Sequence, residues 1–131
     1  MNRILPFLVA LLVAGCTTID YKAGPIPGLE RMTIEEHFID EAKIYEVCSR
    51  CGQSALVIPV ACTCINLRTK HADIWLAKGA SQSTIEHERA HGRGYDHTDG
   101  DLRRRYEAWQ VSQKTASPLR AVNSVQVSNT Q

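Results

Sequence analysis

Apolar positions along this chain change their rhythm several times, and each rhythm predicts an element. Residues 1–16, MNRILPFLVALLVAGC, are apolar almost throughout after Arg3. In residues 33–43, TIEEHFIDEAK, the apolar Ile34, Phe38, Ile39 and Ala42 fall roughly on one helical face. Thr33 followed by Glu36 is spelled like a capping box, so a helix is expected there. Residues 44–47 form a short strand candidate. Residues 54–67, SALVIPVACTCINL, are apolar and β-branched, which predicts one or two strands broken at Pro59. Residues 72–77, ADIWLA, predict another strand. Residues 79–84 form a loop, and Ser83 with Glu86 fits a second capping box. A polar helix is expected from about residue 84 to about residue 93. In residues 101–113, Leu102, Tyr106, Trp109 and Gln113 mark one face of a further helix.

These elements divide the chain into four parts. Residues 1–15 have the length and composition of a secretory leader, too short to span a bilayer comfortably. Residues 16–32 hold Gly24-Pro25, Pro27 and Gly28, which break regular structure, and are expected to be a spacer. Residues 33–114 form one domain of roughly 80 residues. Residues 115–131 hold no aromatic residue and many polar ones, and are expected to be a loose tail. A core of that size benefits from staples. The chain has five cysteines. With Cys16 set aside, Cys48, Cys51, Cys62 and Cys64 remain, an even number that suits two disulfides outside the cytoplasm. A Cys62–Cys64 bond would be strained, so bonds between the two pairs are expected. A structural zinc in the CxxC…CxC set is the open alternative.

The formal net charge of +1 excludes a general polyanion binder. The run Arg103 to Arg105 is expected to be a solvated helix face, with contact to anionic lipid or nucleic acid as the alternative. There is no internal repeat, glycine-rich phosphate loop or serine triad signature.

The chemistry concentrates in residues 87–97, HERAHGRGYDH. In a helix, His87 and His91 lie on one face, one turn apart, and can offer two imidazoles to one ion. Glu88 lies one step round the helix and suits a general base. A third ligand on the same straight helix would point away. Gly92 and Gly94 allow a turn, because glycine tolerates positive φ at a helix end. His97 can then return to the ion. Three neutral imidazoles and one water make an open zinc site of the catalytic kind. Asp96 is an alternative third ligand. Asp96, Asp99 or Asp101 can accept an N–H from a ligand imidazole. Tyr95 and Tyr106 are candidate donors to an oxyanion.

The pattern H-E-x-x-H-x-x-G-x-x-H resembles the zinc-binding consensus of the metzincin metallopeptidases. That resemblance implies peptide-bond hydrolysis with one Zn2+, with His87, His91 and His97 as ligands, Glu88 as base and Gly94 as the turn. It also implies an edge strand ahead of the helix to pair with an extended substrate, for which residues 73–76 are the candidate. The chain departs from the family in one respect: its only methionines are Met1 and Met32, so no methionine turn follows His97. The ending Gly94 to His97, GYDH, resembles a second family, the bacterial single-strand endoribonuclease of ribosomal RNA maturation, which has glycine where this chain has Glu88.

Residues 12–16, LVAGC, resemble the bacterial lipobox. The implication is cleavage before Cys16 and attachment of lipid to its sulfur, which would hold the protein on a membrane. Thr17 rather than Asp implies sorting to the outer membrane, facing the periplasm. Together these readings predict a small α+β domain of the minimal zincin type, with a short antiparallel or mixed sheet, an active-site helix and disulfide staples. The predicted function is a membrane-anchored zinc metallopeptidase acting on protein or peptide, with no nucleic acid favoured. The alternatives are a non-catalytic envelope lipoprotein that binds a metal or a partner, and a zinc endoribonuclease-like hydrolase. Oligomeric state is left open.

Overall fold

The computed structural model describes residues 18–51 and 60–116. The apolar leader, Cys16, the break expected at Pro59 and most of the C-terminal tail lie outside the described residues. The element order is β1 (Thr33–Ile39), α1 (Glu41–Ser49), β2 (Ala61–Asn66), β3 (His71–Ala77), α2 (Gln82–Gly92) and α3 (Asp101–Ala116). The fold is a small mixed α+β unit around a three-stranded sheet in the order β1-β3-β2. β1 runs parallel to β3, and β2 antiparallel to it. No helix of the described residues is long and apolar enough to cross a membrane.

The strand expected at residues 72–77 forms and becomes the centre of the sheet. Its side chains alternate: Ala72, Ile74 and Leu76 are fully buried on one face, while His71, Asp73 and Trp75 are half-buried on the other. Burial on both faces and pairing along both edges are what such a strand can sustain. This overturns the expectation that residues 73–76 form an exposed substrate-binding edge, because β1 and β2 already occupy both sides of β3.

Two elements exchange type relative to expectation. Residues 33–39 form a strand rather than a helix. Seven consecutive residues, from Thr33↔His71 to Ile39↔Ala77, pair with β3. That ladder, extended by Thr33 N–H to the Lys70 carbonyl at 2.9 Å, outweighs a capping-box spelling worth about 1 kcal/mol. The residues read as a short strand lie instead in α1. Ile44 and Cys48, four apart, are both fully buried against Cys62 and Ala77, a pairing only a helix allows. Disulfides Cys48–Cys62 and Cys51–Cys64 join α1 and the turn that follows it to β2, with Cα separations of 5.8 and 5.2 Å. Both lie between the two cysteine pairs, as expected, and they displace the zinc-knuckle alternative.

Part of the stretch expected to be a spacer packs into the fold. Ile26 and Leu29 are 2% and 0% exposed and join Met32, Ala72, Leu102 and Tyr106 in one core cluster. Each such burial is worth roughly 1.5–3 kcal/mol. The folded unit therefore includes the strap from Thr18 on and does not start at residue 33. The proline and glycine positions shape a strap, not a flexible link: Gly24 and Gly28 take φ of 70° and 93°. The face of α3 marked by Leu102, Tyr106 and Trp109 closes over this strap.

Candidate metal centre

α2 begins two residues earlier than its spelling suggests. Ser81, rather than Ser83, is the N-cap and accepts the Thr84 N–H at 3.2 Å. The helix then sets His87 and His91 one turn apart and ends at Gly92. Its end is a Schellman motif. The Tyr95 N–H reaches the Ala90 carbonyl at 3.0 Å and the Gly94 N–H reaches the His91 carbonyl at 2.9 Å. Gly94 is required twice over. Its φ is +88°, and a Cβ there would stand 2.9 Å from the backbone carbon and oxygen of Leu29. The strap thus presses on the turn at the point where the chain reverses.

The reversal brings back His97. Its Nε2 lies 3.0 Å from Nε2 of His87 and 3.0 Å from Nε2 of His91. All three nitrogens lie within 4.8 Å of one another. The strap holds the returning loop by backbone pairing. Ile19 forms a bridge with His97, Asp20 N–H donates to the Asp96 carbonyl at 2.9 Å, and Thr98 N–H donates to the Thr18 carbonyl at 3.1 Å.

The proton inventory at this point favours a cation. The Tyr95 carbonyl lies 2.9 Å from His91 Nδ1 and can only accept, so that nitrogen carries the His91 proton. His91 Nε2 therefore presents a lone pair. The Nε2 of His97 carries at most one proton and cannot donate to both neighbours. A divalent ion held by all three nitrogens would satisfy them at once. Burial pushes His91 down to about 4, against the Tyr95 hydrogen bond, which raises it. Burial, then the His97 charge, also lowers His87. Imidazoles neutral at physiological pH are ready ligands.

Glu88 is 8% exposed and turned toward the sheet, where its Oε2 accepts the Thr63 hydroxyl at 2.8 Å. Burial pushes its carboxyl above the ordinary carboxylate range, and the Thr63 hydrogen bond partly opposes this. Thr63 belongs to β2, an edge strand of the sheet. Nothing in the spacing of the sequence singles out Thr63. It is 25 residues from Glu88, and only sheet packing brings them together.

The expected alternatives find other work. Asp96 is 6% exposed, and its two oxygens accept the N–H groups of His97, Leu102 and Arg103 at 2.8, 3.1 and 2.8 Å. It caps α3 and is not free to replace His97. Asp99 accepts the Asp101 N–H, and Asp101 faces Arg104 and Arg105 at 3.6 and 3.7 Å. The imidazole-orienting part anticipated for these aspartates falls, for His91, to the Tyr95 carbonyl. Tyr106 is buried in the core with its hydroxyl 3.2 Å from Lys70 Nζ, so it is no oxyanion donor. The chain matches no known protein family, and no curated protein or solved structure is significantly similar to it.

Proposed function

We propose that this chain is a zinc-dependent hydrolase of peptide bonds, with a minimal zincin-like arrangement. The observation that carries the reading is the convergence of the Nε2 atoms of His87, His91 and His97 at 3.0 Å contacts, with a buried carboxylate at the next helix position. His87, His91 and His97 would hold one Zn2+. When bound, that ion supplies a Lewis acid that polarises a carbonyl and acidifies water.

The residues of the chain divide the remaining work. Glu88 accepts a proton from the attacking water and passes it to the leaving amine. Its raised pKa moves it toward the range where such a base serves best, and the Thr63 hydroxyl steadies its carboxylate. The Tyr95 carbonyl fixes the His91 tautomer and ring plane. Asp96 spends its oxygens on amides, which supports a site with one position left to solvent or substrate. β2 is an antiparallel edge strand touching Glu88 through Thr63, and it replaces β3 as the natural seat for an extended peptide.

Cys16 as a lipid anchor fits this reading. Thr18 is already tied to Thr98, next to His97. Cys16 precedes Thr18 by two residues in the chain, so a lipid on it would tether the protein through the strap that holds the His97 loop. Protein segments lying on the envelope membrane are then the natural substrates.

The test compares Glu88→Gln with the wild type. The variant should retain one zinc at the three histidines and lose peptide hydrolysis by at least about a hundredfold. Full activity in Glu88→Gln would overturn the mechanism. Zinc bound tightly with no hydrolysis of any envelope peptide by the wild type would favour a metal-binding lipoprotein without chemistry.

A further inference from the structure

The face of the sheet turned away from α2 gathers a second set of metal-ligating side chains. They come as two i, i+2 pairs, Glu35 and His37 on β1, and His71 and Asp73 on β3. Alternation along a strand puts each pair on one face. The parallel register sets Glu35 opposite Asp73, with His71 and His37 one step to either side. The intervening Glu36 points the other way, to a two-toothed pair with Arg89 of α2 at 2.6 and 2.9 Å. It does not compete for the cluster.

The four side chains converge on a small volume. Asp73 Oδ1 lies 2.9 Å from His37 Nε2 and 3.3 Å from His71 Nε2. The two oxygens of Glu35 each lie 3.9 Å from one of the same nitrogens. One donor atom from each of Glu35, His71 and Asp73 lies within 4.8 Å of the other two, close enough for one ion to take all three, and His37 Nε2 stands beside them, 2.9 Å from Asp73 Oδ1, as a fourth donor. The His37 ring is held flat on Trp75, with centroids 4.0 Å apart and planes inclined by 18°. Its Nε2 is therefore aimed before any ion arrives.

We propose that Glu35, His37, His71 and Asp73 form a second divalent-cation site of the zinc class, one that fastens edge strand β1 to β3. Two imidazoles and two carboxylates are a mixed donor set that suits zinc. All four positions come from protein, as in sites that hold structure together. One ion bridges both strands, so its binding stabilises the folded sheet by mass action. This site stands apart from the three-histidine centre and does not depend on that centre being catalytic.

The test uses the full chain in a background of His87→Gln, His91→Gln and Trp109→Phe. The first two changes remove the other centre, and the third leaves Trp75 as the only tryptophan. Titration with Co2+ should then quench Trp75 fluorescence with a stoichiometry of one. Adding His37→Gln and His71→Gln should weaken that binding at least about tenfold. No saturable quenching in the background, or quenching unchanged by the two further substitutions, would overturn the proposal in favour of a plain hydrogen-bonded cluster. Should the multiple variants fail to fold, Glu35→Gln in the otherwise native chain serves, because Glu35 is 61% exposed. The native chain should then take up two zinc equivalents, the second weakened at least about tenfold by Glu35→Gln. Zinc uptake in Glu35→Gln equal in number and affinity to that of the native chain sinks the proposal.

Discussion

Ile19 and His97 face each other across an antiparallel bridge, so a residue from the N-terminal strap lies beside the third imidazole of the candidate metal centre. The hydrogen bonds on either side of that bridge, from Asp20 to Asp96 and from Thr98 to Thr18, make the loop's position a property of the strap as much as of α2. The Ile26 N–H adds a third tie, to the Gly94 carbonyl at 2.9 Å. The candidate metal centre and the strap are thus one mechanical unit.

Gly94→Ala should break that unit. The new Cβ meets the Leu29 backbone at 2.9 Å in a residue already at φ +88°, so something must move. The expected cost is about 2 kcal/mol or more in urea unfolding, with zinc affinity down at least about tenfold. Gly24→Ala is the control. It shares a positive φ of 70° but nothing lies within 4 Å of its Cβ. It should lose only the backbone part and leave zinc affinity unchanged. Equal zinc affinities in the two variants would separate the strap from the centre.

Asp96 offers a second discriminating substitution. Asp96→Ala leaves the His97 N–H and two backbone N–H groups at the start of α3, those of Leu102 and Arg103, without their acceptor and should cost about 1–3 kcal/mol. Asp96→Asn keeps one acceptor oxygen and should cost less. Both should still bind zinc at the three histidines. If Asp96→Asn loses the metal while remaining folded, Asp96 is a ligand after all.

Thr63→Val tests how the buried base is tuned. Removing the hydroxyl leaves burial unopposed, so the Glu88 carboxyl should titrate higher than in the native chain. The acidic limb of the pH–rate profile should move to higher pH, with zinc stoichiometry unchanged. A profile that does not move would mean that Glu88 is not the group seen on that limb.

The metal-free protein should lose stability on acidification. The folded His91 imidazole resists protonation down to about 4, whereas its ordinary value is 6.5, and His87 is shifted in the same direction. The unfolded chain therefore binds more protons between those values. Stability is fully present above 6.5 and is lost as pH falls toward 4. Glu88, raised by burial, contributes the opposite slope as pH rises above 4.5. Unfolding measured in chelator at pH 7.5, 6 and 5 should show the loss, and Glu88→Gln should make it steeper. Stability that is flat or rising toward pH 5 in both proteins would mean the imidazoles are not held neutral by burial.

How much of this was legible beforehand depends on the range of the interaction. The pairing of His87 with His91, the turn at Gly94 and the strand at residues 72–77 are written in local spacing, because helix pitch, glycine freedom and strand alternation act within a few residues. β1 departs from its local spelling for the same reason. Thr33 to Glu36 spells a helix start locally, and only the ladder to β3, nearly 40 residues away, makes it a strand. α1 departs from its spelling in the opposite sense, since Ile44 and Cys48 gain their burial from Cys62 and Ala77.

The sequence by itself determined that two histidines and a carboxylate would share one helix end with a third histidine just past a glycine turn, and it set four cysteines in two short segments, to pair or to hold a zinc. Tertiary structure alone decided that Thr63 would steady Glu88, that Asp96 would cap α3, and that the supposed spacer would clamp the loop bearing His97. The reason is that burial and backbone pairing reward contacts between distant parts of the chain. Those rewards are set by which surfaces meet in the folded molecule, and no repeat in the order of residues encodes them.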